Sequence, residues 1–314
     1  MRTRVGFIVA VFGLIVSSCS STTVATTTPF QPAGSEFSFV GADGVESDTS
    51  DTSRIVVLNG DLVEVIFALG AGDQVVGRDL TATYPPEAVE LPAVGLGRNL
   101  NAEAVINLAP TLVIGDTQVE PLAAIEQIRQ AGIPVVILNL EAALPGVSRK
   151  ISTVAAILGL NAEGETLISQ VESEIQLALD VAAQATSSPR VGYVYVRGPE
   201  VLLMFGNGMP THFLIQAAGG IDALGEIGVL FAQSLNAEEL VAAAPDVLIT
   251  PTEGFEIIGG LDSFLALPGV LGTPAGMSGN VLTYDEALIL GMGPRVGQAL
   301  MELVLGLHPE LATP

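Results

Sequence analysis

Cysteine occurs once in 314 residues, tryptophan not at all, lysine only at Lys150 and histidine only at His212 and His308. With Cys19 as the sole thiol, the folded part of the chain has no disulfide, no cysteine-based metal site and no cysteine nucleophile. Two histidines so far apart make no zinc motif. Eleven Lys and Arg stand against 34 Asp and Glu, a formal net charge of -23. The basic footprint that nucleic-acid binding needs is therefore missing, and anionic partners are disfavoured. Aromatics are 5% of the chain while hydrophobic residues are 49%, so the core must be mainly Ala, Val, Leu and Ile. Catalytic signatures are also missing. "GLGR", "GNGMP" and "GMGPR" lack the Lys and Ser/Thr of a phosphate loop, and no G-x-S-x-G stretch occurs. Nor does any close pairing of histidine and carboxylate suggest general-base chemistry. The chain reads as a binder and not as an enzyme.

What is present begins at the N-terminus. Arg2 and Arg4 precede an almost wholly apolar run from Val5 to Val16. That run is shorter than the ~20 residues a membrane span takes and has the length of a secretory signal core. Val16-Ser17-Ser18-Cys19 resembles a bacterial lipobox, which makes residues 1–19 a lipoprotein signal and Cys19 the lipidated N-terminus. An ordinary signal peptide with a chance cysteine is the alternative. Changing Cys19 to Ser is expected to release the protein from the membrane fraction, since stable anchoring needs the acyl chains. A variant that stays with the membranes contradicts the lipobox reading.

Residues 20–53 are rich in Ser, Thr, Gly, Asp and Pro and read as a flexible tether. From Arg54, short apolar runs alternate with helical periodicity: "RIVVLNG", "DLVEVIFALGAG", "TLVIGD", "PLAAIEQIRQAG" and "PVVILN". Such alternation predicts a parallel sheet with crossover helices. Between Pro145 and Ser187 no strand is found. Leu167, Val171, Ile175, Ala178 and Ala182 instead form one helical stripe, with Asn161 as a candidate cap. Strands resume at "VGYVYV". The expected architecture is α/β, with two Rossmann-like lobes, 54–142 and 188–314. A helical linker, 143–187, joins them through a single long backbone helix, and the ligand cleft lies between the lobes. A stiff helix between lobes predicts little closure on binding.

The lobes share a repeat. "LNAEAVINLAPTLVIGDT" at 100–117 matches "LNAEELVAAAPDVLITPT" at 235–252 in its opening Leu-Asn-Ala-Glu and its central Ala-Pro. Both read as a capped short helix, a proline stop and a buried strand. Two similar lobes around a cleft are a common way to enclose a small molecule.

Three stretches, "TATYPPEAVELPAVGLGRNLNAEAVINLAPTLVIG", "YVRGPEVLLMFGNG" and "GMGPRVGQAL", resemble the substrate-binding lipoproteins of bacterial ABC importers for haem, cobalamin and ferric siderophores. The class joins its lobes by one long helix, and the haem-uptake branch fits best. The resemblance covers about residues 54–308. It implies a monomeric protein on the outer face of the cytoplasmic membrane, held by its lipid anchor. This protein would deliver haem to an ABC permease and its ATPase, with cobalamin or a ferric siderophore as alternative cargo and no intrinsic cofactor.

The resemblance also assigns residues. Haem proteins of this class often carry "VGY" followed by a basic residue two places on, and the tyrosine holds the iron. Here "VGLGR" places Leu96 at the tyrosine and keeps Arg98. Phe231 stands where the second lobe often supplies a His or Tyr. Arg98 can pair with a propionate by a forked hydrogen bond or form a structural salt bridge. His212, after the glycine loop "GNGMP", is the remaining candidate iron ligand. Met209 and Met292 are soft ligands, ring contacts or simple packing, and Tyr84 lines the cleft or packs a turn. Arg295 reads as structural and His308 as a surface residue. Glu103 and Glu238, equivalent in the repeat, either favour their helix dipoles or dock onto permease arginines, as the resemblance implies.

Overall fold

In a computed structural model, residues 37–312 are described. They begin with a hairpin of two strands, β1 Ser38–Val40 and β2 Glu46–Asp48. This hairpin falls inside the segment expected to be tether. Its turn is an Asp43-Gly44 pair with Gly44 at φ 76°, the left-handed conformation that glycine adopts freely.

The N-terminal lobe follows. Strand β3 Ile55–Val57 leads to helix α1 Gly60–Ala68 and strand β4 Val75–Arg78. Helices α2 Pro86–Val89 and α3 Ala102–Ile106 precede β5 Leu112–Asp116, α4 Leu122–Gln130 and β6 Val135–Leu138. The strands form one parallel sheet in the order β4-β3-β5-β6. Runs such as "IVV" and "VVIL" are buried at every position, as a sheet covered on both faces demands. The early hairpin sits on the β6 edge. Ala42 N–H donates to the Ile137 carbonyl at 2.7 Å, Ser47 Oγ to the Val135 carbonyl at 2.9 Å, and Arg129 pairs with Asp43 at 2.5 Å. Phe39 is buried beneath it.

Helices α5 Leu144–Leu158 and α6 Asn161–Ala182 occupy the segment between β6 and the next strand. Val171, Ala178 and Ala182 of the expected stripe are buried. Asn161 is the first helical residue and not the cap. That place falls to Leu160, which offers no side-chain bond.

The C-terminal lobe comprises β7 Arg190–Val196, β8 Leu202–Phe205, α7 Pro210–Ala217, β9 Ile221–Asp222, α8 Ala223–Glu226 and β10 Ala232–Ser234. Next come α9 Ala237–Ala243, β11 Val247–Pro251, α10 Thr252–Ile257, α11 Leu261–Leu265 and α12 Pro274–Ser278. Strand β12 Val281–Tyr284, α13 Glu286–Gly291 and α14 Val296–Leu307 close the lobe. Its sheet runs β10-β8-β7-β11-β12, with β9 beside β7. Among the described residues no strand pairs from one lobe's sheet to the other's. Helix α14 packs along α6 so closely that a Cβ at Gly297 would lie 2.5 Å from the Glu174 Cβ. His308, expected at the surface, is instead fully buried at the end of α14. Its Nε2 bonds the Ala218 carbonyl at 3.0 Å, tying α14 to the end of α7.

The repeat is visible in three dimensions. Asn101 and Asn236 cap α3 and α9, each side chain accepting from the second and third following N–H groups. Ala109 and Ala244, each before a proline, adopt φ 46° and 45°. Strands β5 and β11 then begin at equivalent positions.

Candidate functional site

In open α/β sheets ligands gather at the carboxyl ends of the strands. On the N-terminal lobe these ends carry Asn59, Asp79 and Asp116, just after or at the ends of β3, β4 and β5. Asn59 Nδ2 donates to Asp116 Oδ2 at 3.0 Å, and its Oδ1 accepts from the Asp116 N–H at 3.1 Å. Asp116 Oδ1 accepts from the Gln118 N–H at 2.7 Å. Gln118 Oε1 in turn accepts from Arg98 Nε at 3.1 Å and from a second Arg98 nitrogen. A polar chain thus runs from the sheet to Arg98. No carboxylate among the described residues pairs with that guanidinium, which is exposed. Of the two alternatives for Arg98, the structural salt bridge is not formed.

Asp79 holds the neighbouring loop. Its carboxylate accepts from Thr81 N–H at 3.1 Å, Thr81 Oγ1 at 2.7 Å and Gly97 N–H at 3.4 Å. The loop bearing Leu96 and Arg98 is therefore tied to the end of β4. Burial pushes the Asp79 carboxyl up from 3.8 to about 6, against the lowering effect of those bonds. A carboxyl raised on folding favours the fold most below its unfolded value, and this contribution is lost as pH rises through about 6. The shift amounts to about 3 kcal/mol. We expect the unfolding free energy of the wild type, minus that of Asp79→Asn, to fall by roughly this amount between about pH 4 and pH 7. Parallel pH profiles in denaturant titrations would contradict it.

On the C-terminal lobe β7 alternates, so Tyr193 and Tyr195 share a face. Phe205 of β8 stacks between them, its ring centre 5.1 Å from each. Tyr193 is fully buried, and Tyr195, nearer the strand's carboxyl end, is 7% exposed. The Tyr195 hydroxyl donates to Glu286 Oε1, at the start of α13, at 3.0 Å. Burial, and then the Glu286 charge, push the Tyr195 phenol up to about 12. The positive charges of Arg197 and of Arg98, on the other lobe, act in the opposite direction. Arg98 is thus near enough to Tyr195 for its charge to act on the phenol. Sequence reasoning missed Tyr195 and Arg197, although "YVYVR" carries both at the end of a strand.

The remaining candidates divide. Leu96 is half-buried, just before the short helical turn Gly97–Asn99. Tyr84 is 39% exposed, with the Arg295 guanidinium 3.6 Å from its ring centre. Met209 is half-buried at the start of α7 and packs on the core, whereas Met292 is fully packed. His212 is not loose beside the glycine loop. Its Nδ1 meets Asp222 Oδ2 at 2.8 Å, and Asp222 also caps α8. That carboxylate orients the imidazole and leaves Nε2 as its available nitrogen. Phe231 is 64% exposed at φ 53°, with its ring against Gly208. A bulky side chain in the left-handed region carries strain that functional surfaces often hold. Glu103 and Glu238 are both exposed, and neither carboxylate has a partner among the described residues. Cys19 lies outside the described residues. No helix among them is long and apolar enough to cross a membrane, and no cluster of three metal-ligating His, Cys, Asp or Glu occurs among them.

A family model described as "Periplasmic binding protein" matches residues 55–288. Among solved structures, the periplasmic haem-binding protein RhuT from Roseiflexus sp. RS-1, in apo form, is 43% identical. The match covers 83% of this chain and all of that one, with a TM-score of 0.80. The haem-binding protein HmuT is 32% identical over 90% of this chain and 93% of its own, at a TM-score of 0.83. Among curated proteins, a cobalamin-binding protein of Halobacterium salinarum is 26% identical, covering 82% of this chain and 70% of its own.

Proposed function

We propose, from the premise that this chain belongs to the periplasmic binding protein family, that it captures haem outside the cytoplasm and passes it to an ABC permease. The observation that carries this reading is that Arg98, on one lobe, stands near enough to Tyr195 of the other for its charge to act on that phenol. One is a guanidinium with no carboxylate partner, and the other a phenol backed by stacked aromatic rings. A haem needs both kinds of group: cations for its propionates and an oxygen or nitrogen donor for its iron. Leu96 cannot serve as donor. Tyr195 supplies the phenolic oxygen, with Arg98 and Arg197 as the propionate partners. Exposed Phe231 and half-exposed Tyr84 add apolar surface for the macrocycle. The similarity to haem-binding structures supports the same cargo.

Tyr195 takes the ligand role here in preference to His212. The phenol is backed by the stacked ring of Phe205 and feels the positive charges of Arg197 and Arg98, a setting that no contact of His212 reproduces. Bound ferric iron displaces the phenolic proton and offsets the neighbouring Glu286 charge. Cobalamin is the second reading, favoured by the curated relative and by the absence of a tyrosine at position 96. A corrinoid brings its own axial ligand and needs no donor from the protein.

Glu103 and Glu238 serve as docking groups toward permease arginines. They are exposed, unpartnered and equivalent in the repeat. Cys19 anchors the chain. Titrating the protein separately with ferric haem, cobalamin and a ferric siderophore, and recording absorption spectra, tests the cargo. Saturable spectral change with haem alone is the expected result. Saturation with cobalamin and none with haem would overturn the reading.

A further inference from the structure

The segment joining α13 to α14 belongs to the C-terminal lobe, yet its polar contacts lie on the N-terminal lobe and its adjoining helix. Met292 ends α13 at φ 48°. Its carbonyl accepts from Lys150 Nζ, on α5, at 3.0 Å. The same ammonium is ion-paired with Asp61 in the first turn of α1. Three residues beyond Met292, Arg295 donates a guanidinium N–H to Glu64 Oε2 at 2.9 Å and its backbone N–H to Glu64 Oε1 at 3.1 Å. The guanidinium also lies over the Tyr84 ring, 3.6 Å from its centre, a favourable placement for a cation. Asp61 and Glu64 are three residues apart and so neighbours on one helix.

All four charges are largely out of water: the side chains of Lys150, Asp61, Glu64 and Arg295 are 6%, 11%, 8% and 20% exposed. The Gly293 backbone also comes close to this pair, for a Cβ there would stand 3.2 Å from the Glu64 carboxylate. Buried ion pairs add little net stability over apolar packing. An unpaired partner is heavily penalised, however, so such pairs tolerate only one arrangement. Two of them, one helical turn apart on α1, resist both sliding and rotation. The only lysine of the chain is placed at one of them.

We propose that Asp61–Lys150–Met292, closed by the Lys150 bond to the Met292 carbonyl, and Glu64–Arg295–Tyr84 form a two-point latch between the lobes that fixes the width of the cleft. It acts in addition to the stiffness of α6 and does not depend on which cargo is bound. Arg295 and Lys150 are positioning residues in this account. Arg295 also holds the Tyr84 ring in place.

The test uses the full chain with Cys19→Ser and two added thiols, Leu122→Cys on α4 and Met277→Cys on α12, both highly exposed positions on opposite lobes. Spin labels on these thiols report the distribution of lobe separations without ligand. A single narrow distribution is expected, and Arg295→Gln should roughly double its width. Arg295→Lys keeps the charge but loses the forked geometry and should fall between. Should Arg295→Gln fail to fold because it strands Glu64, the double variant Glu64→Gln/Arg295→Gln leaves no buried charge unpaired and decides the matter. A folded variant of either kind, confirmed by circular dichroism, with an unchanged narrow distribution would overturn the latch.

Discussion

Reversing Glu103 and Glu238 to Arg together is expected to abolish uptake while cargo affinity stays the same. Each carboxylate stands at the exposed start of a short helix whose backbone is already capped by an asparagine, Asn101 or Asn236. The cap bonds do not involve the glutamate side chains, so the reversal keeps the caps of α3 and α9 and costs only the small dipole term of an exposed helix start. What changes is the sign of two exposed charges. Placing like charges opposite a permease arginine costs several kcal/mol per site. Two such sites weaken docking by about 1,000-fold or more. Each single reversal should give a partial loss. Uptake by the double variant at the wild-type rate, measured with labelled cargo in cells, would remove the docking role. Cargo affinity, measured on the purified protein, separates this outcome from damage to the cleft.

Parts of the architecture were legible because their physics is local. Continuous apolar runs such as "TLVIGD" mark strands covered on both faces. The stripe from Leu167 to Ala182 marks a helix with one buried face. The repeat was legible because both copies need the same asparagine cap and the same left-handed alanine before proline. The hairpin at residues 38–48 was hidden by composition. Its Asp-Gly turn was present, but the small polar residues around it suggested a tether, and the edge it covers is supplied by β6 far along the chain. His308 was misplaced for a similar reason: its partner, the Ala218 carbonyl, is ninety positions away.

The site divided along the same line. Arg98, Glu103 and Glu238 stand out in the sequence because they sit in recognisable motifs. Tyr195 was missed because nothing local distinguishes it from Tyr193, two residues earlier on the same face. Only the fold shows that Tyr193 is sealed while Tyr195 meets Glu286 and the field of Arg98.

Tyr195→Phe is the second large effect expected. The substitution keeps the ring, and with it the stack on Phe205, but removes the oxygen. Loss of an outer-shell partner already costs about 10–100-fold in metal affinity, so loss of the ligand itself should weaken ferric haem binding by at least about 100-fold. Any haem that still binds should lack the absorption band of phenolate-bound iron. His212→Ala should leave both affinity and spectrum nearly unchanged.

The most direct measurement is therefore a ferric haem titration of the wild type and Tyr195→Phe side by side, followed by absorption. The account predicts saturable binding with a phenolate-to-iron band in the wild type, and loss of that band with much weaker binding in the variant. Identical titrations and spectra for the two proteins would contradict it.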